Sequence, residues 1–373
     1  MKKVMLVFGT RPEAVKLCPL VMELRKRPDE FRTVVCVTAQ HREMLDQVLN
    51  IFNVKTDYDL NLMKNNQSLF DITSNCLTGI GKIINKEEPD IVLVQGDTTT
   101  TFAGSLAAYY NKIRVGHVEA GLRTYDKYSP FPEEINRRLV GVIADIHFAP
   151  TDRNKRNLLL EGVPAERIVV TGNTVIDALL WVRERIHSTE KAYSELGTVD
   201  FRKRIILVTG HRRENFGLGF IEICSALKEL AEANRDVELV YPVHLNPNVL
   251  GPVRKVLCGV PNIKLIKPLH YEPFIYLMDK CHFIISDSGG IQEEAPSLGK
   301  PVLLTRNATE RPEAVEVNAV KIVGTTKRKI IEEANKLLKD PKYYAEMSNA
   351  KNPYGDGYAC KRIIENLWQN DWQ

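Results

Sequence analysis

Nearly continuous apolar runs of four to seven residues alternate along this chain with helical patterns, and that alternation restricts the fold more than any other feature. The runs KVMLVF (3–8), TVVCVT (33–38), IVLVQ (91–95), IRVGHV (113–118), IHFA (146–149) and RIVVT (167–171) come first. Helical patterns fill 12–26, 41–52, 68–86, 99–111, 132–145 and 151–161. A strand that is apolar on both faces must be covered on both faces, which is the state of a parallel strand clad by helices. After a polar stretch at 187–203 the alternation resumes. Strands are expected at 204–209, 237–243, 262–267, 282–286, 301–305 and 319–323, with helices at 219–234, 247–257, 272–280, 291–299, 311–317 and 327–340. The fold class is therefore α/β, with two Rossmann-like doubly wound parallel-sheet domains expected to face each other across a cleft. Residues 1–172 form the first, 173–203 a hinge, and 204–350 the second. A helical pattern at 357–373, after the break Asn352-Pro353-Tyr354-Gly355, is expected to pack back on the first domain.

Bulk properties exclude several classes. A net charge of +4 from 51 basic and 47 acidic residues is too balanced for a nucleic-acid binder, and no basic run occurs. The opening MKKVMLVFGTRPE is broken too early by Gly9, Arg11 and Glu13 for a signal peptide or a membrane span. Seven scattered cysteines without a CxxC point to reduced, buried thiols in the cytoplasm and to no zinc site. Neither GxGxxG nor GxxxxGK[ST] is present, so dinucleotide and P-loop chemistry are set aside.

In open parallel sheets ligands bind beyond the C-terminal strand ends. The first domain places Arg11 and Lys16 after its first strand, Asp97 after its third, and Glu119 after its fourth, with Glu133 opening a helix beyond. The second places His211 and Arg212 after its first strand, His244 after its second, and SDSGGIQEEAP (286–296) after its fourth. Ser288 stands at an N-cap position, Gly289 and Gly290 bare the backbone, and Glu294 could accept from two vicinal hydroxyls such as those of a ribose. The helix N-terminus suits a phosphate, so this stretch reads as a nucleotide site. Asp97, Glu119 and Glu133 converging on one cleft would repel, leaving one of them protonated near neutrality and supplying both an acid and a base. A metal held by His117, Glu119 and Asp97 would draw ligands from separate loops at no recognisable spacing, and no metal or other cofactor is expected. The pentapeptide RPEAV occurs at 11–15 and again at 311–315, each time opening a helix after a strand.

Taken together, the motifs FGTRPEAVKL (8–17), TAQHREMLDQVL (38–49), VQGDTTTTFAGSLAA (94–108), GHVEAGLRT (116–124), PEEINRR (132–138), TGNTVIDAL (171–179), GHRRENFG (210–217), SDSGGIQEEAPSLGKPVL (286–303) and ERPEAVE (310–316) resemble the non-hydrolysing UDP-N-acetylglucosamine 2-epimerases of GT-B fold, nearly end to end. The resemblance implies reversible inversion at C2 of UDP-GlcNAc to UDP-ManNAc. The route it implies is elimination of UDP to 2-acetamidoglucal and re-addition, with a product used in cell-surface polysaccharide biosynthesis. It makes Asp97, Glu119 and Glu133 the acid/base carboxylates and puts His211 at the diphosphate. Arg11, Lys16, Phe274, Ser288, Gly289, Gly290, Glu294 and Arg311 become substrate contacts. It further implies a homodimer and an activating second UDP-GlcNAc at Gln40, His41, Gln67, Arg212 and His244. Glu43 and Asn66 depart from the pattern of that second site, where glutamine and arginine are expected. Three other readings share these features: a hydrolysing epimerase releasing UDP and ManNAc, a GT-B glycosyltransferase, and a non-catalytic nucleotide-sugar sensor. Three carboxylates at strand ends argue against the last, because binding alone does not need them.

Overall fold

Val4–Phe8, Val92–Val94 and Ile205–Leu207 are almost fully removed from water, as strands covered on both faces must be. The computed structural model describes residues 1–39, 42–62, 67–189 and 192–370. Its thirteen strands are β1 (Lys2–Phe8), β2 (Phe31–Val37), β3 (Tyr58–Asp59), β4 (Ile91–Gln95), β5 (Arg114–Val118), β6 (Ile146–Ala149), β7 (Ile168–Val170), β8 (Arg204–Thr209), β9 (Val237–Pro242), β10 (Ile263–Ile266), β11 (Phe283–Ser286), β12 (Val302–Leu304) and β13 (Val320–Ile322). All pairings are parallel. The first sheet runs β3-β2-β1-β4-β5-β6-β7 and the second β10-β9-β8-β11-β12-β13. Each is doubly wound, with its topological switch point between β1 and β4 in one and between β8 and β11 in the other.

The chain divides into two compact units, Met1–Ala178 with Tyr354–Gln373, and Leu179–Pro353. The division falls within one helix, Thr174–Thr189, so most of the stretch 173–190 is helical where the sequence suggested a linker. Val175, Ile176, Leu179, Val182 and Ile186 recur at helical spacing and are buried, so the segment carries an apolar packed face that a solvated linker lacks. Two further elements lay outside the sequence reading, the two-residue β3 and the helix Pro341–Ser348.

The C-terminal helix Ala359–Gln369 belongs to the first unit and packs on the helix Arg11–Arg25. Asp177 receives the N–H groups of Ala359 (3.2 Å) and Cys360 (2.9 Å), satisfying the start of that helix. At its end Lys2 Nζ donates to the carbonyls of Leu367, Trp368 and Asn370 at 2.6–2.9 Å. Among the described residues no helix is long and apolar enough to cross a membrane.

Candidate active site

The polar turns of the first unit gather at its switch point. Glu13, at the third position of the helix Arg11–Arg25, is wholly buried. One carboxyl oxygen accepts the N–H groups of Gly9 (3.1 Å) and Thr10 (2.8 Å), and the other accepts the hydroxyls of Thr98 (2.8 Å) and Thr101 (3.2 Å). It thus ties the turn after β1 to the turn after β4. Burial pushes its carboxyl above the ordinary range, against the pull of these hydrogen bonds. Nothing in the sequence singled it out, because an acid in the first turn of a helix is ordinary.

Asp97 lies in the turn after β4. Arg137 grips its Oδ2 through Nε (3.1 Å) and Nη2, while Asn136 donates to its backbone carbonyl at 3.0 Å. Glu119, immediately beyond β5, sits at φ +64°, a left-handed backbone that side chains other than glycine seldom adopt. Three side chains hold it there: Lys16 Nζ at 2.5 Å and Asn173 Nδ2 at 2.9 Å on Oε1, and Gln95 Nε2 on Oε2. Gly96, also at positive φ, brings its backbone close, and a Cβ there would stand 3.4 Å from Glu119 Oε2. Each of these two carboxylates is thus paired with a cation, Asp97 with Arg137 and Glu119 with Lys16. Glu133 opens its helix and is half-buried. Its neighbour Glu134 is fully buried and accepts from Thr124 N–H (3.0 Å), Tyr125 N–H (3.1 Å) and Arg137 Nη1 (3.1 Å). His117 is buried in β5 with Nε2 2.7 Å from the Gly96 carbonyl, and burial lowers it to about 3, leaving it neutral. Arg11 is half-buried at the helix start.

In the second unit the buried Asp287 organises the turn after β8. Its Oδ2 accepts the N–H groups of His211 and Arg212, each at 2.9 Å, and Asn215 Nδ2 at 3.3 Å. The His211 ring stacks on His244 with centroids 5.6 Å apart. Partial burial lowers His211 below the ordinary imidazole range, although Asp287 opposes the shift. Ser288 occupies the N-cap position of the short helix Gly289–Glu294, as the sequence suggested, but its side chain does not cap. The space that Gly289 leaves is filled by Arg311, since a Cβ there would come within 2.6 Å of Nη1. Arg311 is held by Glu293 through Nε and by Glu310 through Nη1 at 2.7 Å. Gly290 is more open, its nearest neighbour being Glu294 Oε2 at 3.6 Å from an added Cβ. Glu294 accepts from the Tyr271 hydroxyl at 3.2 Å, and Phe274 lies half-buried on the same helix as Tyr271, Tyr271–Lys280.

Of the residues assigned to a second nucleotide, Gln40 and His41 lie outside the described residues, as does Asn66. Arg212 Nη2 reaches Glu310 at 3.4 Å, His244 is exposed, Gln67 is half-buried, and Glu43 is exposed in the first turn of the helix Arg42–Ile51.

Two doubly wound parallel-sheet domains, each with polar turns at its switch point, make up the GT-B architecture. The chain belongs to the UDP-N-acetylglucosamine 2-epimerase family, whose model matches residues 22–368. The UDP-N-acetylglucosamine 2-epimerase of Escherichia coli (strain K12) is 58% identical over 372 residues, covering 99% of each chain. Among solved structures, UDP-GlcNAc 2-epimerase from Neisseria meningitidis bound to UDP-GlcNAc is 53% identical with a TM-score of 0.91, covering 99% of this chain and 100% of that one. The Methanocaldococcus jannaschii UDP-GlcNAc 2-epimerase in complex with UDP-GlcNAc and UDP is 35% identical with a TM-score of 0.80, at 99% and 100% coverage.

Proposed function

We propose that this chain reversibly converts UDP-N-acetylglucosamine to UDP-N-acetylmannosamine without net hydrolysis. The C2 proton of the substrate has no adjacent carbonyl in the ring to acidify it, so direct removal and return is a poor route. Elimination avoids the problem. A carboxylate takes the C2 proton, the C–H electron pair becomes the C1=C2 bond of 2-acetamidoglucal, and UDP leaves with the C1–O pair. UDP then adds back at C1 while C2 receives a proton on the opposite face. In this reading Asp97, Glu119 and Glu133 are the acid/base groups. Arg11, Lys16, His211, Ser288, Gly289, Gly290 and Arg311 stabilise the departing diphosphate, and Phe274 and Glu294 hold the nucleoside.

The observation that carries the proposal is Glu119. A carboxylate kept in left-handed backbone by Lys16, Gln95 and Asn173 is a group whose position matters more than its local cost of roughly 1–3 kcal/mol. Proton NMR of UDP-GlcNAc incubated with the protein alone in heavy water tests the reaction. UDP-ManNAc with deuterium at C2 supports it, free ManNAc points to the hydrolysing reaction, and no reaction without an acceptor points to glycosyl transfer. Asp97→Asn should lose roughly 10²–10⁴-fold in turnover with UDP binding retained; wild-type turnover would remove Asp97 from the mechanism.

Activation by a second UDP-GlcNAc and assembly as a cytoplasmic homodimer are further parts of the proposal, supported by family membership. A hyperbolic dependence of rate on UDP-GlcNAc, with no stimulation of the reverse reaction, would count against the activator.

A further inference from the structure

Asp287 is almost entirely withdrawn from water, its side chain 1% exposed, yet only half of its carboxylate is engaged. Oδ2 takes the three donors from His211, Arg212 and Asn215 described above. Oδ1 is buried with no hydrogen-bond partner among the described residues, and it stands 3.7 Å from His211 Nδ1. Leaving a buried carboxylate oxygen unsatisfied costs roughly 1–3 kcal/mol, so the arrangement calls for a function. The surroundings are built to keep it there. Tyr241 donates to the Gly210 carbonyl at 3.0 Å, Thr209 and Ser286 pair through their hydroxyls at 2.6 Å, and Asn215 also donates to the Thr305 carbonyl at 3.1 Å. The imidazole presents Nδ1 to Asp287, which leaves Nε2 on the far edge of a ring whose side chain is 45% exposed.

We propose that Asp287 is the positioning residue of His211: it fixes the turn through Oδ2 and, when an anionic diphosphate meets the opposite edge of the ring, closes its Oδ1 onto Nδ1–H so that the imidazolium form is held between two negative groups. The proton is taken up from solvent as UDP binds, and it rests on Nε2, facing the diphosphate oxygen that carries charge when the C1–O bond breaks. Partial burial, His244 and Arg212 all disfavour the charged ring, whereas Asp287 favours it. The inference rests on the reading of His211 as a diphosphate contact.

The test uses the full-length protein with UDP as the probe. Calorimetric titration at pH 7.5 in buffers of different ionisation enthalpy reports the protons taken up on binding. The wild type should take up more than His211→Asn, and Asp287→Asn should match His211→Asn while still binding UDP. Its kcat should fall about 10–100-fold, by analogy with the loss of the carboxylate that orients a metal-bound histidine, with a smaller change in KM. Wild-type uptake in Asp287→Asn overturns the proposal. Wild-type uptake and turnover in His211→Asn instead removes His211 from the diphosphate, and the proposal goes with it. A measurement on the wild type stands whether or not the Asp287 variant folds. Nitrogen-15 NMR of the UDP complex at pH 7 should show both His211 ring nitrogens protonated, and a neutral ring there overturns the pairing.

Discussion

Replacing Gly289 by alanine separates two roles that a glycine beside a helix start can play. The new Cβ would stand 2.6 Å from Arg311 Nη1 and 2.9 Å from Cζ. Relaxed contacts between such atoms lie at about 3.5–4 Å, so the guanidinium must retreat by roughly 1 Å. It is not free to do so, because Glu310 holds Nη1 at 2.7 Å and Glu293 holds Nε. Burial pushes the Glu310 carboxyl up, but Arg311 and Arg306 outweigh it and bring it to about 2, a sign of how firmly these charges are paired. Losing one charge-assisted bond costs roughly 1.5–3 kcal/mol. Alanine returns about 0.5–1 kcal/mol of helix preference, for a net loss of about 1–2 kcal/mol. Gly290→Ala is the control. Its Cβ meets Glu294 Oε2 at an ordinary 3.6 Å, so it keeps the helix gain and loses little. Urea denaturation of the two variants should differ by about 2 kcal/mol, and UDP affinity of Gly289→Ala measured by calorimetry should weaken about tenfold, the equivalent of 1.4 kcal/mol. A Gly289→Ala protein as stable as Gly290→Ala, with unchanged UDP affinity, would refute both the packing argument and the place of Arg311 at the nucleotide.

Two further outcomes are expected. Glu13 keeps its proton to higher pH in the folded than in the unfolded chain, so its contribution to stability falls as pH rises from the ordinary glutamate range through its raised native value; urea midpoints of wild type and Glu13→Gln taken at pH 4.5 and pH 7 should show the wild type losing ground to the variant at the higher pH. In β5 a Cβ on Gly116 would lie 2.6 Å from Leu93 Cδ2 and 3.4 Å from Phe148 Cε2, so Gly116→Ala should overpack the sheet at a cost of about 1–3 kcal/mol, read as a lower thermal midpoint.

The strands were legible because buried parallel strands carry no polar face to confuse the pattern, and twelve of the thirteen fall where apolar runs stand. β3 escaped because two residues, Tyr58 and Asp59, are too few to make a run. The helix Thr174–Thr189 escaped for another reason: its periodic Val175, Leu179, Val182 and Ile186 lead directly into a polar stretch that suggested a linker. At the candidate site, residues standing immediately after strands could be read directly, as with Asp97, Glu119 and His211. The residues that hold them could not. Arg137 reaches Asp97 across 40 positions, and Asp287 reaches His211 across 76. Such partners follow from sheet order, which brings β8 beside β11, and no local spacing announces them.

The return of Tyr354–Gln373 to the first unit has a consequence for how the protein is made. On the ribosome β1 and the helix Arg11–Arg25 emerge before the second unit, while the helix that packs on Arg11–Arg25 and receives Lys2 follows it. The second unit, continuous from Leu179 to Pro353, draws no residue from that returning segment. The earlier-born half therefore waits on the later one. Released chains truncated before Tyr358 should hold a protease-resistant second unit and a first unit whose Asp177 lacks the N–H groups of Ala359 and Cys360.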